Sequence, residues 1–237
     1  MKVIQANCRI QFTPEDIDFI VSTLGKKAAD AQCLMALLSD EETRDTILDD
    51  ESLLRAVLEY PGCLRVSDHL YFYVVVRCVL RRAGIQTRSV ADYVAEVLCE
   101  FSRTERTRCL VPGRKEPADY LFEMLEALES ADERTSFYIR THIGNHSLFW
   151  SGVFPDHIRY RAEYRGSPGM RYYEALGQAN FRVASDHRLA ERYALAPILA
   201  TLAERFQATR LALNDVAQRL CSLGDVELPF DKLLQAQ

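Results

Sequence analysis

Between Phe12 and Gly25 the chain reads FTPEDIDFIVSTLG, a helix written out with its start and stop. Thr13 is placed to cap, and Pro14 suits a first turn where its missing N–H costs nothing. Glu15 and Asp16 lie at the positive end of the helix dipole, Phe12 is spaced to staple onto Ile17, and Gly25 ends the run. Comparable starts recur at Ser67 (SDHLYFYVVVRCVLRRAG, stopped by Gly84), Thr87 (TRSVADYVAEVLCEF), Pro117 (PADYLFEMLEALES) and in SPGMRYYEALGQANFRVAS. Strand-like alternation is confined to KVIQ and CRIQF near the N-terminus, too little to make a sheet. The sequence therefore predicts an all-α protein of about ten helices, arranged as one multi-helix domain or as two packed helical halves.

The helical period continues without interruption through DHRLAERYALAPILATLAERFQATRLALNDVAQRLCSLG, where Pro197 should begin or kink a helix. The one linker-like stretch is SRTERTRCLVPGRKEP, residues 102–117, which carries prolines, a glycine and basic side chains without an apolar period. It divides an N-terminal half, 1–101, from a C-terminal half, 118–237. With 237 residues and 48% hydrophobic composition the chain is long enough to bury a sizeable core. Its net charge of -5 argues against a protein that coats nucleic acid, which needs a dense excess of Lys and Arg. The longest apolar candidate for a membrane span, LYFYVVVRCVL, is interrupted by Arg77, and the N-terminus lacks the apolar run of a signal sequence. Seven scattered cysteines, odd in number and without a CxxC pair, read as reduced core thiols, and the expected location is cytoplasmic.

Candidate chemistry concentrates in YIRTHIGNHSLFWSG, residues 138–152. On a helical projection Tyr138, Ile139, His142, Ile143, His146, Phe149 and Trp150 fall within about 160° of one another, so both histidines lie inside an apolar stripe. A buried imidazole must find hydrogen-bond partners or a ligand, or else cost on the order of 1–3 kcal/mol in lost solvation. Three readings follow: neutral core histidines satisfied by neighbours; metal ligands, with Asp156, His157 or Glu163 completing a shell; or polar groups of a pocket walled by Phe149 and Trp150. The metal reading lacks the Glu-x-x-His pairs of di-iron bundles and the HExxH of zinc proteases, so no metal ligand is assigned. Downstream, FPDHIRYRAEYRGSPGMRYY interleaves Arg159, Arg161, Arg165 and Arg171 with Tyr160, Tyr164, Tyr172 and Tyr173, a mixture suited to phosphates or other acidic ligands. The ligand-binding residues expected are Tyr138, His142, His146, Phe149, Trp150, Arg171, Tyr172 and Tyr173.

No G-x-S-x-G, P-loop or G-x-G-x-x-G is present, and the sequence designates no catalytic residue or cofactor. The leading expectation is a helical ligand-binding or regulatory protein. Its partners would be a small organic or anionic ligand and, as the one protein partner considered, a second copy in a homodimer. The competing class is an enzyme with a His-based metal or acid–base site. In spacing alone, Arg182–His187 and Arg140–His146 resemble the Arg-x(4–6)-His pair of HEPN-type ribonucleases, which implies RNA cleavage by an all-helical protein.

Overall fold

The computed structural model describes residues 3–25, 28–59, 66–102 and 120–222. Among these, every regular element is helical. A 3₁₀ turn at Cys8–Gln11 precedes α1 (Pro14–Leu24), α2 (Ala28–Leu38), α3 (Glu41–Leu48), α4 (Glu51–Glu59), α5 (Asp68–Arg82) and α6 (Arg88–Phe101). Then follow α7 (Leu121–Glu129), α8 (Glu133–Val153), α9 (Pro155–Arg165), α10 (Met170–Ser185), α11 (Arg188–Arg192), α12 (Ala196–Glu204) and α13 (Phe206–Ser222). The all-helical expectation is met, with somewhat more helices than the periodicity suggested. No described helix is long and apolar enough to cross a membrane. Apart from Ser102, the stretch read as a linker lies outside the described residues, as do Pro117, Cys63 and Cys109.

The caps act as their residue types dictate. Thr13 accepts from the Asp16 amide while the Asp16 carboxylate accepts from the Thr13 amide, a complete capping box. Asp16, fully buried, also accepts from the amide and the hydroxyl of Ser67 at 2.7 and 2.6 Å. Ser67 in turn caps α5 through the Leu70 amide, so one carboxylate joins two helix starts. CRIQF differs from its extended expectation: Cys8–Gln11 winds into the 3₁₀ turn because Arg9 anchors it, its amide donating to Asp92 at 2.9 Å and its guanidinium to Asp45.

At the centre lie α5, α6, α8, α10, α12 and α13, whose apolar side chains belong to one continuous cluster that runs from Cys8 to Val216 and takes in residues of the flanking helices. A smaller cluster, Leu121, Met124 and Ala127 with Ile139 and Ile143, packs α7 against α8. The middle of α8 is buried nearly all round: Thr141, Asn145, Ser147 and Ser151 are as enclosed as the apolar stripe. Thr141 and Ser151 are tolerated there because their hydroxyls donate back to carbonyls one turn earlier, at 2.8 and 2.6 Å. Asn145 accepts from the buried Tyr93 hydroxyl of α6 at 3.0 Å.

The long C-terminal period breaks twice. Ala194 adopts φ 54°, and the Leu195 amide reaches Ala190 O at 2.7 Å, which closes α11. Pro197 stands in the first turn of α12, as its chemistry requires, and Arg205 ends that helix.

Candidate functional site

A cavity of about 30 Å³ opens between α8, α9, the start of α10 and the N-terminus of α7. His146 and Trp150 form its floor from successive turns of α8; His157, Ile158 and Arg161 come from α9; and Tyr120, Leu121, Pro168 and Tyr173 close the rim. The local sequence explains the convergence. The i, i+4 spacing puts His146 and Trp150 on one face of α8, and Pro155 begins a new helix immediately after Phe154. That turn folds α9 back so that His157 lies beside Trp150, ring centroids 6.0 Å apart, with Arg161 one turn further along.

Nine buried side-chain nitrogen or oxygen atoms have no hydrogen-bond partner among the described residues. Four of them, His146 Nδ1, Trp150 Nε1, His157 Nε2 and Arg161 Nε, belong to residues lining this one cavity. Three of the others, on Arg9, Arg88 and His187, lie 3.4–3.6 Å from a carboxylate and so have an ionic partner. His146 and Trp150 are only 6% and 4% exposed, which makes their nitrogens costly to leave bare. Burial, then the nearby His142, pulls the His146 imidazole down to about 3, so it is neutral at pH 7. His157 is lowered by burial and by Arg161 and Arg165. Tyr173 is raised by burial in spite of Arg161. The residues around the cavity thus carry an indole N–H, a guanidinium, a phenol and two imidazoles that can each donate one N–H.

Three of the eight expected ligand-binding residues meet here: His146, Trp150 and Tyr173. His142 is half-buried with its ring 5.4 Å from Phe101 and 6.4 Å from His146. Phe149 is fully buried against Phe101 and Phe154, away from the cavity lining. Tyr138 lies toward the other end of α8, its hydroxyl 3.3 Å from that of Tyr193. Arg171 and Tyr172 are exposed and are not part of this lining. His157 and Arg161, which complete the site, lie in the Arg/Tyr-rich segment that the composition singled out. The Asp156 and Glu163 carboxylates proposed for a metal shell are exposed.

Of the two Arg–His pairs, only His146 lines the cavity. His187 is itself the cap of α11: its Nδ1 accepts from the Leu189 amide at 3.0 Å and its ring stacks on Phe137. Arg182 is exposed, while Arg140 donates to Asn180 of α10 at 3.2 Å. A larger cavity of about 310 Å³ lies between the ends of α3 and α5, lined by Asp49, Arg77, Arg81 and Cys78. Its central charges are already paired: Arg77 grips Asp49 at 2.9 and 3.1 Å and donates to Gln86 O at 2.7 Å, and Arg81 lies 3.4 Å from the same carboxylate. Although burial raises the Asp49 carboxyl, the hydrogen bond from Arg77 and the charges of Arg81 and Arg88 hold it below its ordinary value.

Fold and site together define an all-helical protein with a small, donor-rich cavity inside its C-terminal helices. Comparison with protein families, with curated proteins and with solved structures finds no match to this chain.

Proposed function

We propose that this protein is a ligand-binding or regulatory helical protein whose ligand is a small oxyanion, a carboxylate before others, held in the α8–α9–α10 cavity. The observation that supports this reading is the set of four buried nitrogens without partners around one cavity. An indole N–H and a guanidinium N–H only donate, so the matching ligand presents acceptors, and Arg161 supplies the opposite charge. Size narrows the choice. About 10–15 Å³ suffices for one water by the usual measure, so a cavity of about 30 Å³ suits a carboxylate group and excludes a nucleotide.

Trp150 is the sole tryptophan of the chain and lines the cavity, so emission excited selectively through the indole, beyond the absorption of the tyrosines, reports on this site. Titration with formate, acetate and other short carboxylates at constant ionic strength should shift or quench that emission saturably. Arg161→Met should abolish the response while leaving the helical circular dichroism intact. Affinity should rise as the pH falls toward 5, because a bound anion draws a proton onto His157. Absence of any saturable change across the series, or an unaltered response in Arg161→Met, would overturn the reading.

A further inference from the structure

Among the described residues one group, two thiols and a carboxylate, has the spacing to hold a metal ion, and it stands apart from the α8–α9–α10 cavity. Cys8 Sγ, Cys99 Sγ and a Glu96 carboxylate oxygen lie within 4.8 Å of one another. Cys8 opens the 3₁₀ turn, and Glu96 and Cys99 are i, i+3 neighbours on the face of α6 beneath it. A fourth donor is adjacent: His69, at the start of α5, has Nε2 3.6 Å from Glu96 Oε2, and its carbonyl accepts from the Cys8 thiol at 3.3 Å. Cys8, Glu96 and Cys99 are 0%, 4% and 2% exposed, whereas the His69 side chain is 16% exposed and marks the route in. Gln11, exposed, covers the carboxylate by donating from Nε2 at 3.0 Å.

We propose that Cys8, Glu96 and Cys99, with His69 as fourth ligand, form a structural site for a thiophilic divalent cation of the zinc class. Two thiolates, a carboxylate and an imidazole are the donor types that zinc takes in closed tetrahedral sites. Zinc–sulfur bonds of about 2.3 Å place tetrahedral sulfurs about 3.8 Å apart, so the two thiols need only draw inward by up to about 1 Å, while His69 reaches the ion by turning in from its contact with Glu96. Loading exchanges two thiol protons for the cation and releases them to solvent; no electron moves. The Arg9 contacts with Asp92 and Asp45 hold the turn that carries Cys8, so the ligands are gathered before the ion arrives. The ion would rivet the N-terminal turn to α5 and α6.

The test uses the full chain, kept reduced with a phosphine, stripped with a chelator and titrated with cobalt(II) alone. One equivalent should bring up thiolate-to-cobalt charge-transfer absorption and tetrahedral visible bands, and zinc should then bleach them. A variant with serine at positions 33, 63, 78, 109 and 221, keeping only Cys8 and Cys99, should give the same spectrum. Cys8→Ser and Cys99→Ser should lose it, and Glu96→Gln should weaken binding by about tenfold or more. Should the single-cysteine variants misfold, the wild type and the five-serine variant decide. No cobalt bands in the wild type, bands lost in the folded five-serine variant, or bands kept in folded Cys8→Ser would each overturn the assignment.

Discussion

A histidine enclosed on α8 puts a pH dependence into the stability of the whole chain. His146 is held neutral by burial and then by the charge of His142, with its proton affinity lowered from 6.5 to about 3. Between those values the unfolded chain takes up a proton that the folded one refuses, so stability is full above about pH 6.5 and drains away as the pH falls toward 3. The slope attributable to this one group is about 1.4 kcal/mol per pH unit. Urea midpoints measured from pH 7 to pH 4 should therefore fall less steeply in His146→Leu than in the wild type. Parallel curves for the two proteins would mean that the imidazole is solvated. At this scale the sequence was readable where neighbours along one helix decide the outcome: the projection that placed His146 with Trp150 rests only on the helical period. It could not separate His146 from Phe149 or Tyr138, because which part of the stripe meets α9 depends on the turn at Phe154–Pro155. Nor could it find Cys8 beside Cys99, since nothing in a period relates two residues that far apart in the chain.

The helices were legible chiefly through their first turns. Thr13, Ser67 and Pro197 act where their side chains or missing N–H require, and these are interactions closed within a few residues. The break at Ala194 leads into Pro197 and so was marked, whereas the end of α12 at Arg205 carries no glycine or proline and had no local signal. Two close helix contacts have a sequence cause that only the structure reveals. Gly144 of α8 lies under the Phe181 ring of α10, and Gly177 of α10 under the Phe206 ring of α13. A Cβ at either position would stand 2.5 or 2.4 Å from ring carbons. Both rings are fully buried and have nowhere to retreat. Gly144→Ala and Gly177→Ala should each destabilise by about 1–3 kcal/mol, even though alanine favours helix over glycine by roughly 1 kcal/mol. Guanidinium denaturation showing either variant as stable as the wild type would mean that the helices separate more readily than their packing implies.

At the level of the whole molecule, the apolar cluster does not respect the division between residues before and after the 102–117 stretch. Leu70, Val75 and Val94 of α5 and α6 belong to the same cluster as Phe149, Phe181, Leu199 and Leu213 of α8, α10, α12 and α13. Polar contacts cross in the same places: Tyr93 to Asn145 in the interior, and the Arg205 guanidinium to Ala83 O at 3.1 Å. Helices of one half therefore bury a face that only the other half covers, and a half expressed alone would leave that face wet at a cost of about 25 cal/mol for each Å² exposed. Residues 1–101 and 118–237 produced separately should each lack a cooperative thermal transition. The intact chain should unfold in one step, with the loss of helical circular dichroism and the shift of Trp150 emission superimposing at one midpoint. Two midpoints, or a half that melts cooperatively by itself, would show that the continuous core is energetically two. Coincident transitions would also tie the α8–α9–α10 cavity to the N-terminal helices, so that an anion bound beside Trp150 raises the midpoint reported by every helix by mass action.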